Sequence, residues 1–307
     1  MSITKTLERK LEGLLGSYLA SSPPLARTVK RMATYPRYMA QCRACRIGFR
    51  RFGARYPQRA LFIAGLPKSG TTWLEEMIAS YPGFHDVYLP EIATYELKTG
   101  GSHDYSLPAE IFSRFRNMLV VVKVHAPGSP HNIEVLRTAG LRYAVLYRDL
   151  RDVAVSNFFF VRQRPWHPEY PLYAKLSLAE GLALFAERTL AAYADWIKSW
   201  HENRDSAMSL ELRYEQMVSN PMAALRCLAE HFGLDSSPEM LTKIVEINSF
   251  KKLSGGRGQG QEDRTSFFRR GLAGDWKNHF TPELKEIYKQ LIGDFLIEFG
   301  YEQDLSW

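Results

Sequence analysis

From residue 60 onward the chain alternates short apolar runs with longer stretches of helical spacing. The runs Leu61 to Gly65, Leu119 to Val124, Leu141 to Tyr147 and Ala207 to Leu212 are apolar or β-branched on both faces. That is the pattern of strands buried on both sides of a parallel sheet. Helices are predicted at Thr71 to Ser80, Asp152 to Arg162, Leu178 to Asn203, Pro221 to Phe232 and Pro282 to Phe299. Asn220 before Pro221 is a good N-cap followed by proline at the first helical position. Strand–helix alternation of this kind predicts a three-layer αβα domain with a central parallel sheet.

Residues 1–55 read differently. They carry helical spacing with many basic residues, broken at Ser22-Pro23-Pro24, and predict two amphipathic helices. The expected organisation is a basic helical extension over 1–55 and one α/β domain over 56–307. Ser254 to Gln261 is too rich in glycine and too polar to pack, which predicts a mobile loop.

Composition adds bounds rather than an answer. At 307 residues and 45% apolar content the chain can bury one large core. No run approaches the ~18 consecutive apolar residues of a bilayer-spanning helix, and no cleavable leader is evident, so a cytoplasmic protein is expected. Three cysteines do not make a disulfide framework, and Cys42 and Cys45 are half of a metal-binding pattern at most. The net charge of +7 suits an anionic ligand, nucleic acid or a membrane surface equally well. Peripheral membrane contact through the basic N-terminal region therefore stays open.

The first chemically specific segment is Gly65-Leu66-Pro67-Lys68-Ser69-Gly70-Thr71-Thr72-Trp73, placed after a strand and opening a helix. A glycine-bounded turn there makes a backbone N–H cradle for phosphate. It is P-loop-like with one departure: Thr71 stands where a nucleotide kinase requires lysine, and the lysine sits inside the loop at Lys68. Moving the lysine removes the arrangement that reaches a γ-phosphate and holds magnesium beside it. A ligand with a shorter 5′ chain suits this P-loop-like nucleotide-binding core better, and no metal is expected.

Pro67 to Trp73 resembles the 5′-phosphosulfate loop of the cytosolic-type sulfotransferases that use 3′-phosphoadenosine-5′-phosphosulfate (PAPS). Tyr147-Arg148-Asp149-Leu150-Arg151-Asp152-Val153-Ala154-Val155-Ser156 is similar to the 3′-phosphate segment of that family. Arg269-Arg270-Gly271-Leu272-Ala273-Gly274-Asp275-Trp276-Lys277-Asn278 is similar to its C-terminal motif, with arginine for the usual lysine at Arg270. The three motifs keep their order over some two hundred residues, and the resemblance runs from about Pro57 to the C-terminus.

The resemblance implies transfer of a sulfonate from PAPS to a hydroxyl, leaving the product 3′-phosphoadenosine-5′-phosphate (PAP). It implies donor binding by Lys68, Ser69, Gly70, Thr71, Thr72 and Trp73, by Arg148 and Ser156, and by Arg269, Arg270 and Gly271. Adenine would lie among Trp73, Tyr214 and Phe250, with Asn248 where the family commonly has threonine. Physically, Arg148 suits a phosphate through a bidentate fork. Lys123-Val124-His125 resembles the family's Lys-Thr-His element, and strand alternation puts Lys123 and His125 on one side. His125 is the expected general base, Lys68 the group that stabilises the departing oxygen, and Lys123 the partner of the sulfonyl oxygens. Ser156 is expected to hold Lys68 back until an acceptor arrives.

The acceptor is a small-molecule or lipid hydroxyl, with a lean toward a lipophilic alcohol because Asn157-Phe158-Phe159-Phe160 follows the 3′-phosphate segment. Phe159 and Pro67 are the residues expected to line its pocket. Nucleic acid is not an expected partner. Homodimerisation stays open, because Thr281-Pro282 replaces a Thr-Val step in the family's dimer segment. Two rivals remain, a nucleotide kinase and an inactive module that binds PAP or a membrane.

Overall fold

The structure is a computed structural model and describes residues 22–99 and 103–307. Its long elements in chain order are helix α1 (Pro23–Phe52), β1 (Ala60–Gly65), α2 (Thr71–Ala79), β2 (His85–Val87), α3 (Pro90–Lys98), β3 (Val120–Val124), α4 (Pro130–Thr138), β4 (Tyr143–Tyr147), α5 (Leu150–Val161), α6 (Leu178–Phe185), α7 (Ala191–Asn203), β5 (Ser209–Arg213), α8 (Pro221–Phe232), α9 (Pro238–Ile247) and α10 (Pro282–Glu298).

The five strands form one sheet in the order β2-β3-β1-β4-β5, and every neighbouring pair is parallel. Alternation splits the core in two. Leu61 and Ile63 of β1 face a layer with Leu74 and Met77 of α2, Leu228 of α8 and Leu241 of α9. Phe62 and Ala64 face the other layer, with Leu136 of α4, Val153 of α5, Trp200 of α7 and Phe295 of α10. This is the expected αβα sandwich.

The four expected strands form with boundaries shifted by a residue or two. β2 escaped the sequence because three edge residues carry too little periodicity to register. Helices α3, α4 and α9 were not anticipated either. Each begins with proline in its first turn, and Ser129 and Ser237 cap α4 and α9 by accepting from Asn132 N–H and Met240 N–H. The single helix expected at 178–203 is instead α6 and α7 joined by a π-helical turn over Ala186–Leu190. Such turns reposition side chains, and this one puts Arg188 and Thr189 on the wall of the main cavity.

Of the two helices expected before residue 55, the first lies outside the described residues. The second is α1, which starts where the Ser22-Pro23-Pro24 break stands. Its C-terminal half is not a detached extension. Cys42 and Cys45, both free thiols, are buried in the same core layer as β3. The Cys45 carbonyl accepts from Leu119 N–H at 3.2 Å. A Cβ on Gly48 would lie 1.9 Å from the Gly83 carbonyl oxygen, so only glycine permits this approach.

Candidate active site

Gly65 ends β1, and the chain turns through Lys68 and Gly70, both left-handed at φ 64° and 80°. A side chain at Gly70 would strike the Tyr214 ring at 2.6 Å, and the Lys68 backbone conformation is one L-residues seldom hold, a strain typical of ligand loops. Gly70 caps α2 without a side chain, so the first N–H groups of that helix face a cavity of about 920 Å3 at the carboxyl end of the sheet.

His125 follows β3 at the cavity wall. Its Nδ1 is hydrogen-bonded to the Gly65 carbonyl oxygen. A carbonyl only accepts, so Nδ1 carries the proton and Nε2 keeps its lone pair. Burial, then the neighbouring His103 and Lys123, holds the imidazole well below its usual pKa, so the ring is neutral. The carbonyls of His125 and Ala126 accept from the indole N–H groups of Trp196 and Trp200 at 2.7 and 3.1 Å, which fixes this strand end to α7.

Lys123, two residues earlier, also lines the cavity and lies 3.3 Å from both Thr72 Oγ1 and Glu75 Oε2. The Lys68 ammonium rests 3.6 Å from the Phe160 ring centre, a cation–π contact, rather than on the Ser156 hydroxyl. Burial, then Arg164, Arg148, Lys123 and Arg269, presses the Lys68 pKa well below its ordinary value. Crowded cations of this kind mark a place built for an anion.

Arg148 directly follows β4 and lies over the Tyr214 ring at 4.2 Å. It donates from Nη2 to Asp152 at 2.8 Å and to the Leu272 carbonyl at 2.9 Å, while its buried Nε has no partner. Asp152 also accepts from Gly274 N–H and Trp276 N–H at 2.7 and 2.9 Å, tying the segment after β4 to the C-terminal motif. Asp152 was not singled out as a site residue, since nothing in spacing foretells a tie across 122 residues. Arg269 and Arg270 both pair with Asp275, and the buried Arg270 Nε is unpartnered. Burial acts to raise the Asp275 pKa, but His279, Arg269 and Asn278 together hold it well below the usual carboxylate range. His279 is therefore part of this anchor.

Trp73 and Tyr214 stand edge to face at 6.4 Å, and Trp73 donates its indole N–H to the Asn248 carbonyl at 2.8 Å. The Asn248 side chain points back to Ser80 and Ile244 and is buried. Phe250 packs on Gly271, where a Cβ would lie 2.4 Å from its ring. The glycine-rich segment expected to be mobile is held down: Arg257 donates to the carbonyls of Gln261, Phe268 and Arg269.

A family model described as a sulfotransferase domain matches residues 58–300. The chain belongs to the sulfotransferase family. Sulfotransferase relatives include a flavonol 3-sulfotransferase of Flaveria bidentis, 29% identical over 77% of this chain and 81% of that protein. Sulfotransferase 1B1 of Canis lupus familiaris is 28% identical over 79% and 86%. In solved structures the same fold appears in mouse sulfotransferase SULT7A1 complexed with PAP (TM-score 0.59, 22% identity, 81% and 89% of the two chains). It appears again in retinol dehydratase with androsterone and inactive cofactor PAP (TM-score 0.57, 20% identity, 81% and 85%).

The cavity of this sulfotransferase gathers Pro67, Lys68, Gly70, Thr71, Thr72, Trp73, Lys123, His125, Arg148, Ser156, Tyr214, Phe250, Arg269, Arg270 and Gly271 from separate stretches of chain. Two expected residues are not on its wall. Ser69 is fully buried behind the loop, with its Oγ unpartnered. Phe159 packs against His279, with Arg269 over its ring at 4.7 Å, and the next residue, Phe160, lines the cavity instead. One residue along a helix is a turn of about 100°, enough to exchange one wall for another. Glu96 and His103, on the far side of His125, carry no motif and were visible only once the chain was folded.

Proposed function

We propose that this sulfotransferase takes its sulfonate from PAPS and delivers it to the hydroxyl of a small, largely lipophilic alcohol or phenol by in-line displacement. The observation that carries the donor assignment is a pair of buried, unpartnered donors, Arg148 Nε and Arg270 Nε, from two residues on the wall of a cavity crowded with cations. Leaving such groups unpaired is costly, and a ligand with two separated anionic groups would satisfy them. Arg148, Ser156, Arg269, Arg270 and Gly271 would hold the 3′-phosphate; Lys68 and the loop from Ser69 to Trp73 would hold the 5′ end. Trp73, Tyr214 and Phe250 would receive the adenine.

In this reading His125 Nε2 takes the proton of the attacking hydroxyl as the new oxygen–sulfur bond forms. The bond from sulfur to the departing phosphate oxygen breaks on the opposite side. Lys68 meets the charge growing on that oxygen, and Lys123 the sulfonyl oxygens, by electrostatic stabilisation in a water-poor site. A base role for His125 is supported by its locked tautomer, since the Gly65 carbonyl leaves Nε2 as the basic atom.

Calorimetry with PAP in the absence of magnesium tests the donor site. Wild-type protein is expected to bind in the micromolar range, and Arg148→Ala to lose on the order of 100-fold, as removal of a buried phosphate partner does. Binding of ATP but not PAP would sink the proposal and restore a nucleotide kinase.

A further inference from the structure

The cavity is divided by charge. Lys68, Lys123, Arg148, Arg269 and Arg270 wall the donor half, whereas among the described residues the far half beyond His125 holds Glu96, Asp104, Glu169 and Asp195 against one cation, Arg188; Asp104 accepts from the Tyr95 hydroxyl at 2.7 Å. His103 and His167 also stand there, but burial lowers them to about 4 and about 3, so neither adds positive charge near neutral pH. Tyr88, Trp166, Tyr193 and Trp196 supply aromatic surface between these groups.

The carboxylates are not equivalent. Glu169 is answered by Arg188 and Asn157, and Asp195 is on the exposed rim. Glu96, on α3, is different: its side chain is only 25% exposed, and His103 Nδ1 is 3.9 Å away, beyond hydrogen-bond reach. Lys123, the cation that faces it from β3, is already paired with Glu75 and Thr72. Burial raises the Glu96 carboxyl to about 7 against the opposing pull of Lys123, the state of an acid kept from water with no counter-ion in contact among the described residues. The contacts run from Glu96 to His103 at 3.9 Å and from the His103 ring to the His125 ring at 5.3 Å, with the Tyr193 ring 5.9 Å from His103. A ligand group at Glu96 is thus about one aromatic ring removed from the reacting hydroxyl.

We propose that the acceptor is an alcohol or phenol bearing a protonated amine, with Glu96 as its counter-ion and the Tyr193 and His103 rings beside it. This rests on the reading of the far half of the cavity as the acceptor side. A neutral second hydroxyl would satisfy the Glu96 oxygens but would leave the acidic half without compensating charge; an ammonium answers both needs and gains from the aromatic faces.

The test uses the full chain with PAPS and isosteric acceptor pairs in which an ammonium replaces a methyl. Tyramine is compared with 4-propylphenol, and the next shorter and longer amines with their alkyl counterparts. In wild type, kcat/KM is expected to favour the amine by about 10-fold or more in at least one pair, and Glu96→Gln to bring that ratio near one. Glu96→Asp should keep part of the preference, which separates charge from a folding effect. The proposal is overturned if the alkyl member is equal or better in every pair, or if the preference survives Glu96→Gln. Failure of the underlying reading looks different: neither member of any pair is sulfonated and PAP does not bind, whereas failure of the amine proposal alone leaves the alkyl phenols as substrates.

Discussion

Gly65 does two things with one residue: its missing side chain makes room for the Thr71 methyl group, which a Cβ would approach to 2.1 Å, and its carbonyl orients His125. The expected phosphate loop and the expected base are therefore set by the same peptide. His125→Gln is expected to lower kcat by roughly 100- to 10,000-fold while PAP affinity changes by less than about threefold, measured by sulfonation assay and calorimetry. Since burial holds the imidazole well below 6.5, kcat/KM should stay level as pH falls through 6.5 and break only at more acid values. Stability follows a different course. An imidazole kept neutral in the fold binds fewer protons than in the unfolded chain, so its contribution is whole above about 6.5 and is lost as pH falls. His125, His103 and His167 act together here, while Glu96 and Glu215, which burial raises to about 7, gain protons in the fold over the same window and act in the opposite sense. The histidine part is read by difference: His167→Asn should make the fall in urea midpoint between about pH 6.5 and 4 shallower than in wild type, and an identical pH dependence would contradict the buried neutral state of His167.

At the scale of elements, α1 has two unlike faces. One carries Thr34 to the cavity and Cys42 and Cys45 to the core; the other leaves Met32, Tyr35 and Met39 exposed, followed by Arg43, Arg46 and Arg50. The helix holds eight basic residues and no acidic one. Apolar residues on both faces explain why this helix is not amphipathic in the simple sense expected from its spacing. We propose that the outer face rests on anionic lipid, which places the cavity rim at a membrane surface. In sedimentation with vesicles, protein should partition to phosphatidylserine-containing membranes and not to pure phosphatidylcholine, and Met32→Ser with Tyr35→Ser should weaken that binding severalfold. Equal recovery with both vesicle types would argue against it. Among the described residues no helix is long and apolar enough to cross a bilayer.

For the whole molecule, we propose from the close packing of Cys45 and Gly48 that the C-terminal half of α1 folds as part of the α/β domain. We propose that removal of residues 1–55 lowers the melting temperature by well over 5 °C through loss of buried side chains such as Cys42 and Cys45. In the full-length protein, PAP at about a hundredfold its dissociation constant should raise the melting temperature by roughly 5 °C. Much of this was legible in the chain. Runs apolar on both faces determined a parallel sheet with helices on each side, because only burial on both sides makes such a run favourable. The ordered motifs around Lys68, Arg148 and Arg269 carried the resemblance to the family, and they are visible in sequence because a phosphate cradle needs glycine and cations close together along the chain. What only the tertiary structure decided depends on contacts between distant segments. Asp152 gripping the C-terminal motif is one case, and the exchange of Phe159 for Phe160 on the cavity wall is another. The charge division that leaves Glu96 with no contacting counter-ion among the described residues is a third, since periodicity and spacing report neighbours along the chain, whereas a carboxylate's partner is set by whatever the fold brings within a few ångströms of it.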